Sequence, residues 1–180
     1  MPARGRSKFR VRLARPRLED AEEVLALHRA SRSFHRGKVS PPVTRVQFRR
    51  YLARCERPDF VGRLIRRRED DAIVGALELS QIARGGFQSA YLGYHLGAAF
   101  RGKGYMTEAL ELVMRHAFRV LKLHRLEANI QPTNRPSTLV VKRLGFRREG
   151  FSRRYLKISG QWRDHERWAI LKEDWRGSRT

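Results

Sequence analysis

Apolar and basic side chains alternate over residues 9–13, the period of a half-buried strand. Pro16 ends that run, and Glu19 and Asp20 open a helix whose apolar stripe of Val24, Leu25 and Leu27 continues to about residue 30. Carboxylates in a first turn suit the positive end of the helix dipole. Residues 31–42, polar and proline-containing, read as a loop, and residues 43–55 as a second helix carrying Val46, Phe48, Tyr51 and Leu52. Strand-like runs follow at 60–66, 73–82 and 90–96, separated by the turn formers Glu69-Asp70-Asp71 and Arg84-Gly85-Gly86, which predicts an antiparallel meander. From Tyr105 the period lengthens, with Met106, Leu110, Val113, Ala117 and Leu121 at three- and four-residue steps. Residues 125–130 read as a strand, and a short helix opened by Pro136 and Ser137 ends at Leu144-Gly145-Phe146. Gly145 there suits a left-handed C-cap. Two last strands flank a turn formed by Gly160-Gln161-Trp162-Arg163-Asp164.

No repeat, low-complexity block or linker divides this pattern, so one domain over residues 1–180 is expected, with 1–8 as a flexible basic arm. Composition narrows the class. Hydrophobic residues make up 41%, which argues against a disordered basic tail. No run approaches the ~18 apolar residues of a membrane span, and the basic N-terminus lacks an apolar signal-peptide core. A lone Cys55, read as a small buried residue, leaves no internal disulfide and points to a reducing, cytoplasmic setting. His28, His35, His116, His124 and His165 are scattered without ligand spacing, so no metal site is expected.

Charge is the outlying property: 40 Lys plus Arg against 18 Asp plus Glu, a formal net charge of +22. Of the basic residues 33 are Arg, so the excess reads either as codon bias or as a salt-sensitive attraction to a polyanion. A polycationic substrate is disfavoured on either reading.

The strand ending at Leu96 runs into Gly97-Ala98-Ala99-Phe100-Arg101-Gly102-Lys103-Gly104 and then the helix from Tyr105. A strand, a glycine-rich turn and a helix in that order aim backbone N–H groups and the helix dipole at an anion such as phosphate. It is not a P-loop, because Gly104 stands where a Ser or Thr must ligate magnesium. Nor is it a dinucleotide fingerprint, because Thr107 replaces the third glycine and antiparallel strands precede it.

Arg101-Gly102-Lys103-Gly104-Tyr105-Met106 resembles the acyl-coenzyme A motif of the Gcn5-related N-acetyltransferase (GNAT) superfamily, with Met106 departing at the last position. Asn134, Ser137 and the helix closed by Leu144-Gly145-Phe146 resemble its second signature. Lys103-Gly104-Tyr105-Met106-Thr107-Glu108-Ala109-Leu110, Leu123-His124-Arg125, Glu149-Gly150 and Gly160-Gln161-Trp162-Arg163-Asp164-His165 narrow the resemblance to the RimJ/RimL-type ribosomal-protein-alanine N-acetyltransferases, the RimJ branch most closely. The resemblance implies an α/β (α+β) GNAT fold: a mixed, mostly antiparallel sheet of about seven strands, splayed between the fourth and fifth and flanked by about four helices. Acetyl-CoA is the implied cosubstrate, with no metal. Its pantetheine pairs with the free backbone edge near His95 and Leu96, its pyrophosphate sits on Arg101, Gly102, Lys103, Gly104, Tyr105 and Met106, and Asn134 and Ser137 lie along its arm. The implied partner is a ribosomal protein N-terminus, with the ribosomal particle or its RNA met through the basic surface at 4–17 and 63–68 and no membrane involved.

Direct attack of an amine on the thioester needs a proton acceptor and a donor to the leaving thiolate. The family's usual base position holds Leu156, and its usual acidic Tyr is replaced by Val141. Ser137 remains as donor to the sulfur, and Glu78, Tyr94 and Glu127 are the base candidates. Trp162 reads either as a packed hairpin residue or as a wall of the acceptor groove. At pH 7 about one-tenth of an α-amine is neutral against well under a thousandth of a lysine amine, a gap of roughly 3.5 kcal/mol. Without an assigned Glu base, an α-amine, the alanine N-terminus, is the favoured acceptor. The alternatives are a small amine such as an aminoglycoside or polyamine, or a ribosome-assembly, RNA-binding role.

Overall fold

The computed structural model describes residues 8–177; residues 1–7, nearly all of the expected basic arm, lie outside the described residues. Seven strands, β1 (Val11–Ala14), β2 (Val61–Arg67), β3 (Ile73–Ala83), β4 (Ser89–Leu96), β5 (Arg125–Ile130), β6 (Arg147–Ile158) and β7 (Gln161–Leu171), make one sheet in the order β1-β2-β3-β4-β5-β7-β6. The helices are α1 (Ala21–Ala30), α2 (Arg32–His35), α3 (Arg45–Arg54), α4 (Tyr105–Arg115) and α5 (Arg135–Arg143). β2 to β4 form the predicted antiparallel meander, and β1 pairs antiparallel with the outer edge of β2. α4 then carries the chain over to β5, the one parallel neighbour, and β7 and β6 complete the sheet antiparallel.

The helices divide between the two faces. α4 and the turn that follows it pack on β1 and the sheet centre through Leu110, Val113 and Phe118 against Leu77, Leu92 and Leu126, all buried. On the opposite face α1 and α3 cover β2 and β3 with Val24, Leu25 and Phe48 against Leu64 and Ala76. Local chemistry sets the helix ends. Thr44 and Gln47 form a reciprocal capping box, so α3 starts at Arg45, two residues later than its apolar pattern. Gly145, at φ +91°, lets Phe146 N–H reach the Val141 carbonyl at 3.0 Å while Gly145 N–H bonds Lys142 at 3.1 Å. That is a Schellman stop, with Phe146 and Val141 both buried.

Three expectations need correction. The 31–42 loop contains α2, a single turn held by the buried His35 ring, whose Nε2 bonds the Leu96 carbonyl at 2.8 Å; a four-residue helix has no periodicity to read, and tertiary contact makes it. The helix from Tyr105 does not continue regularly to Leu121 but widens into a π turn over His116–Val120. Trp162 lies in β7, not in a turn: Ser159 and Gly160, at φ +50° and +81°, close a two-residue hairpin, and Gln161 already pairs with Ile158.

Leu110 is fully buried between α4 and the sheet. Leu110→Ala is expected to lower the unfolding free energy by about 2–5 kcal/mol, measured by urea denaturation; a loss near zero would contradict this packing.

Candidate active site

β4 and β5 pair through only three residues, Ser89 with Arg125, Ala90 with Leu126 and Tyr91 with Glu127, and then part. Gly97 N–H bonds the Val74 carbonyl at 2.9 Å. By the two-residue alternation of an antiparallel ladder, His95, Gly93 and Tyr91 therefore spend their main-chain groups on β3, while Leu92, Tyr94 and Leu96 turn theirs toward the gap. The free edge expected near His95 and Leu96 is thus carried by Tyr94 and Leu96, with the Leu96 carbonyl taken by His35. The main chain of His95 is committed to the sheet.

Beside the gap, Gly102 and Gly104 both adopt positive φ, +74° and +82°, and Gly104 is the N-cap of α4. The first helical N–H groups have no partners within the helix, so the loop presents donors and a dipole outward. Arg10 braces it from the start of β1: its Nη2 bonds the Lys103 carbonyl at 2.8 Å, and its Nε and main-chain N–H bond Glu108 at 2.7 and 2.6 Å. Tyr105 and Met106 are buried in the core beneath. Met106, the departure from the motif, is thereby a packing residue. The cations of Arg101 and Lys103 rest over the rings of Phe34 and Phe100 at 5.9 Å each.

A cavity of about 570 Å³ runs from the gap toward α1 and α3. Of the sequence-derived candidates, Glu78, Tyr94, His95, Asn134 and Ser137 line it; Leu96, the loop residues 101–106, Glu127 and Trp162 do not. Asn134 precedes α5 without capping it by its side chain, which leaves that amide to the cavity. Tyr94 Oη donates to the Ser137 carbonyl at 3.4 Å. Burial pushes the Tyr94 phenol up to about 12, with a Ser137 hydrogen bond drawing it partway back, so near neutral pH it is a proton donor and not a base. Glu78 lies over Gly93, where a Cβ would meet its Cγ at 3.1 Å; burial raises its carboxyl, and Arg54 at 3.8 Å opposes the rise. Glu127 accepts from Arg125 Nε at 2.9 Å on the wall below the gap. Trp162 is exposed near the hairpin tip, opposite Lys157. Val141 is fully buried and Leu156 is half-exposed at the rim.

Sequence order concealed one constellation. His28, His35 and His95, apart in the chain, meet in space with ring centroids 4.9, 5.3 and 6.3 Å apart. His28 Nδ1 bonds the Pro42 carbonyl at 2.7 Å, and its Nε2 lies 2.9 Å from His95 Nε2. The signal was weak but present: His28 falls four residues after Val24 on the buried stripe of α1, and His95 alternates with Tyr94 on β4. Among the described residues no group of three or more His, Cys, Asp or Glu is arranged to hold a metal ion.

The basic stretches expected to form a docking surface carry local ion pairs, most of them at the surface: the side chains of Arg10, Arg12, Arg15 and Arg17 are 38–73% exposed, whereas that of Arg66 is 13% exposed. Arg66 is buried against Asp20 and reaches Asp71, Arg67 pairs with Asp70 at 2.5 Å, and Arg68 bonds the Val11 carbonyl at 3.2 Å. Arg10, Arg12, Arg15 and Arg17 pair with Glu108, Asp71, Glu56 and Glu19.

The profile of the acetyltransferase (GNAT) domain family matches residues 10–147. A probable N-acetyltransferase of Bacillus subtilis (strain 168), YjcK, is 39% identical over 163 residues, 86% of this chain and 90% of that protein. The ribosomal protein uS5-alanine N-acetyltransferase of Escherichia coli (strain K12) is 42% identical over 107 residues, a match spanning 59% of this chain and only 55% of that one. Among solved structures, Mycobacterium smegmatis RimJ in complex with CoA-disulfide superposes with a TM-score of 0.82 at 30% identity, over 91% of this chain and 82% of that chain.

His28, His35, His95, His116 and His165 are all held below the usual histidine value, burial being the leading cause for each. The folded chain therefore binds fewer protons than the unfolded chain just below pH 6.5, and their contribution to stability is full above that value and lost as pH falls through the folded values. Tm followed by scanning calorimetry is expected to drop by several degrees between pH 7.5 and pH 5; a flat profile would contradict the burial of these rings.

Proposed function

The chain belongs to the GNAT acetyltransferase family, and on that premise we propose that it acetylates the N-terminal α-amine of a protein, the alanine terminus of a ribosomal protein. As a family member it is an acyltransferase whose donor, acetyl-CoA, supplies the activated acetyl thioester. The residues present fit that donor. The positive-φ glycines at 102 and 104 leave a cradle that side chains would fill, α4 supplies N–H donors and a dipole, and Tyr94 and Leu96 offer an open strand edge. Gly102, Lys103, Gly104, Tyr105 and Met106 would hold the pyrophosphate with Arg101 adding charge, and Asn134 the pantetheine amides. The Ser137 hydroxyl would donate to the departing sulfur, with Tyr94 beside it as a protonated second donor.

The observation that carries the acceptor reading is the charge of the cavity wall: Glu78 is its one lining carboxylate, against Lys38, Arg50, Arg54 and Lys157. A polyamine or aminoglycoside brings several positive charges into that field and finds one counter-charge. A protein N-terminus brings one amine whose neutral form is already appreciable at pH 7, and surrounding cations increase that neutral fraction further. Similarity to a uS5-alanine N-acetyltransferase supports the same choice. The exposed cations of α5 and β6, among them Arg135, Lys142, Arg143, Arg153 and Arg154, are the surface through which we infer contact with the ribosomal particle. Among the described residues no helix is long and apolar enough to cross a membrane, and a cytoplasmic setting follows from the proposed substrate.

Incubation with acetyl-CoA and ribosomal proteins, read by mass spectrometry of intact chains and N-terminal peptides, is expected to give an acetyl shift confined to one α-amine. Faster acetylation of spermidine or of lysine side chains would overturn the acceptor reading. Gly104 at φ +82° makes Gly104→Val costly by about 1–2 kcal/mol at the loop, so CoA affinity by calorimetry is expected to fall roughly tenfold with the fold retained. Ser137→Ala is expected to lower kcat on the order of tenfold or more while leaving CoA affinity within about twofold. The reverse pattern, lost affinity with kcat kept, would remove Ser137 from the leaving-group role.

A further inference from the structure

The histidine trio is in the wrong place to be only a packing cluster. His28 and His95 line the cavity, and His95 stands on β4 beside the open edge where the donor reading places the thioester arm. Its ring faces α1 and α2, opposite to Tyr94 on the next position of the strand, because alternate β residues point to opposite faces.

Hydrogen bonding fixes the protons. The Pro42 carbonyl can only accept, so His28 Nδ1 carries a hydrogen and donates to it. Neutral His28 then has a lone pair on Nε2, and the 2.9 Å contact between the two Nε2 atoms requires His95 to donate. His95 is thereby the Nε2–H tautomer with its lone pair on Nδ1. His35 donates Nε2–H to the Leu96 carbonyl, and its Nδ1 is buried with no partner. Of the six imidazole nitrogens, His95 Nδ1 alone is neither hydrogen-bonded nor sealed among the described residues. A ring held by the His28 hydrogen bond and packed edge-on against His35, with one basic nitrogen left unbonded on a residue that lines the cavity, is the arrangement of a positioned proton acceptor.

We propose that His95 Nδ1 takes the proton from the acceptor amine, with His28 as the positioning residue that fixes its tautomer. The proposal rests on the acetyl-transfer reading above. In the step, the amine nitrogen bonds the acetyl carbon, the carbon–sulfur bond breaks with its electron pair passing to sulfur, and the surplus N–H proton passes to His95 Nδ1. The thiolate departs against Ser137 and Tyr94, and His95 returns its proton to water.

The groups around His95 make the role workable. His28 from α1 and His35 from α2 are neutral neighbours, Lys38 lies in the loop after α2, Glu78 on β3 is its diagonal neighbour in the ladder, and Arg54 of α3 reaches toward Glu78. Burial and the adjacent rings hold the imidazole well below its ordinary value, so it is unprotonated and ready at neutral pH. A base this weak does not strip a free ammonium ion, but it accepts the proton of a nitrogen made acidic by bonding to the acetyl carbon. That limitation matches an α-amine, which arrives partly neutral, and not a lysine. Glu78 is left the separate task of drawing the amine in.

The test uses the full chain and two readouts. Imidazole nitrogen NMR of the wild-type protein, without turnover, is expected to show His28 as the Nδ1–H and His95 as the Nε2–H tautomer; an Nε2–H His28 would overturn the proposal. Steady-state rates are then compared on whichever amine the wild type acetylates from a panel of an alanine-initiated peptide, a lysine peptide and spermidine. His95→Gln is expected to lose roughly 10²-fold in kcat and the acid limb of the kcat–pH profile, with CoA-induced thermal stabilisation preserved as proof of a folded donor site. His28→Asn, which keeps the donor to Pro42 and removes the acceptor for His95, is expected to lose about tenfold in kcat and to shift that limb with little change in KM. A His95→Gln enzyme as active as wild type with an unchanged pH profile refutes the proposal whatever the acceptor. Preference for spermidine with the predicted His95 loss instead refutes only the acceptor reading.

Discussion

The site depends on a pairing that stops early. β4 and β5 share three residue pairs and then separate. Buried main-chain donors and acceptors normally find partners, so an open strand edge inside a sheet is a demand for a ligand that resembles a strand. The elements around the gap keep it open. α4 links the two strands in the crossover that parallel neighbours need, and its first turn is where the glycine loop exposes N–H groups. α5, stopped by Gly145, sets Asn134 and Ser137 on the far side of the gap. One topological feature therefore brings together the open edge, the glycine loop and the polar side chains of Asn134 and Ser137.

Electrostatics then choose what enters. The loop around Gly104 is cationic and braced by Arg10, suited to a phosphate-bearing donor. The cavity wall is positive apart from Glu78, suited to an amine that is neutral when it reacts. Much of the remaining charge has a more local purpose. Arg66 tying Asp20 and Asp71 fixes the start of α1 against β2, a buried pair whose value lies in geometry more than in net stability. The arginines at 10–17 and 66–67 also take part in local ion pairs, those of Arg10, Arg12, Arg15 and Arg17 from solvent-exposed positions.

What the sequence disclosed follows the reach of each signal. The strand periods, the Gly102–Gly104 turn and the Leu144-Gly145-Phe146 stop are local and stand where their residues place them, whereas the helical period from Tyr105 runs past the end of α4 into the π turn. α2 is illegible because four residues have no period, and Trp162 falls in β7 because the turn belongs to Ser159 and Gly160. Contacts at long separation left least trace. Spacing puts His28 on the buried stripe of α1 and His95 on β4, but the shared cluster with His35 forms only once the meander and α1 are both folded. The same holds for the base candidates: only the fold separates Glu78, inside the cavity, from Glu127, tied to Arg125.

The claim that the β4 gap and the α4 loop together receive the acetyl donor is tested most directly by amide hydrogen exchange with and without acetyl-CoA. Slowed exchange at Tyr94 and Leu96 together with the amides of 102–106, and little change over β1 to β3, is the result this account predicts. Protection confined to another surface, such as the cleft of about 470 Å³ between Arg115, Arg143 and Trp175, would contradict it.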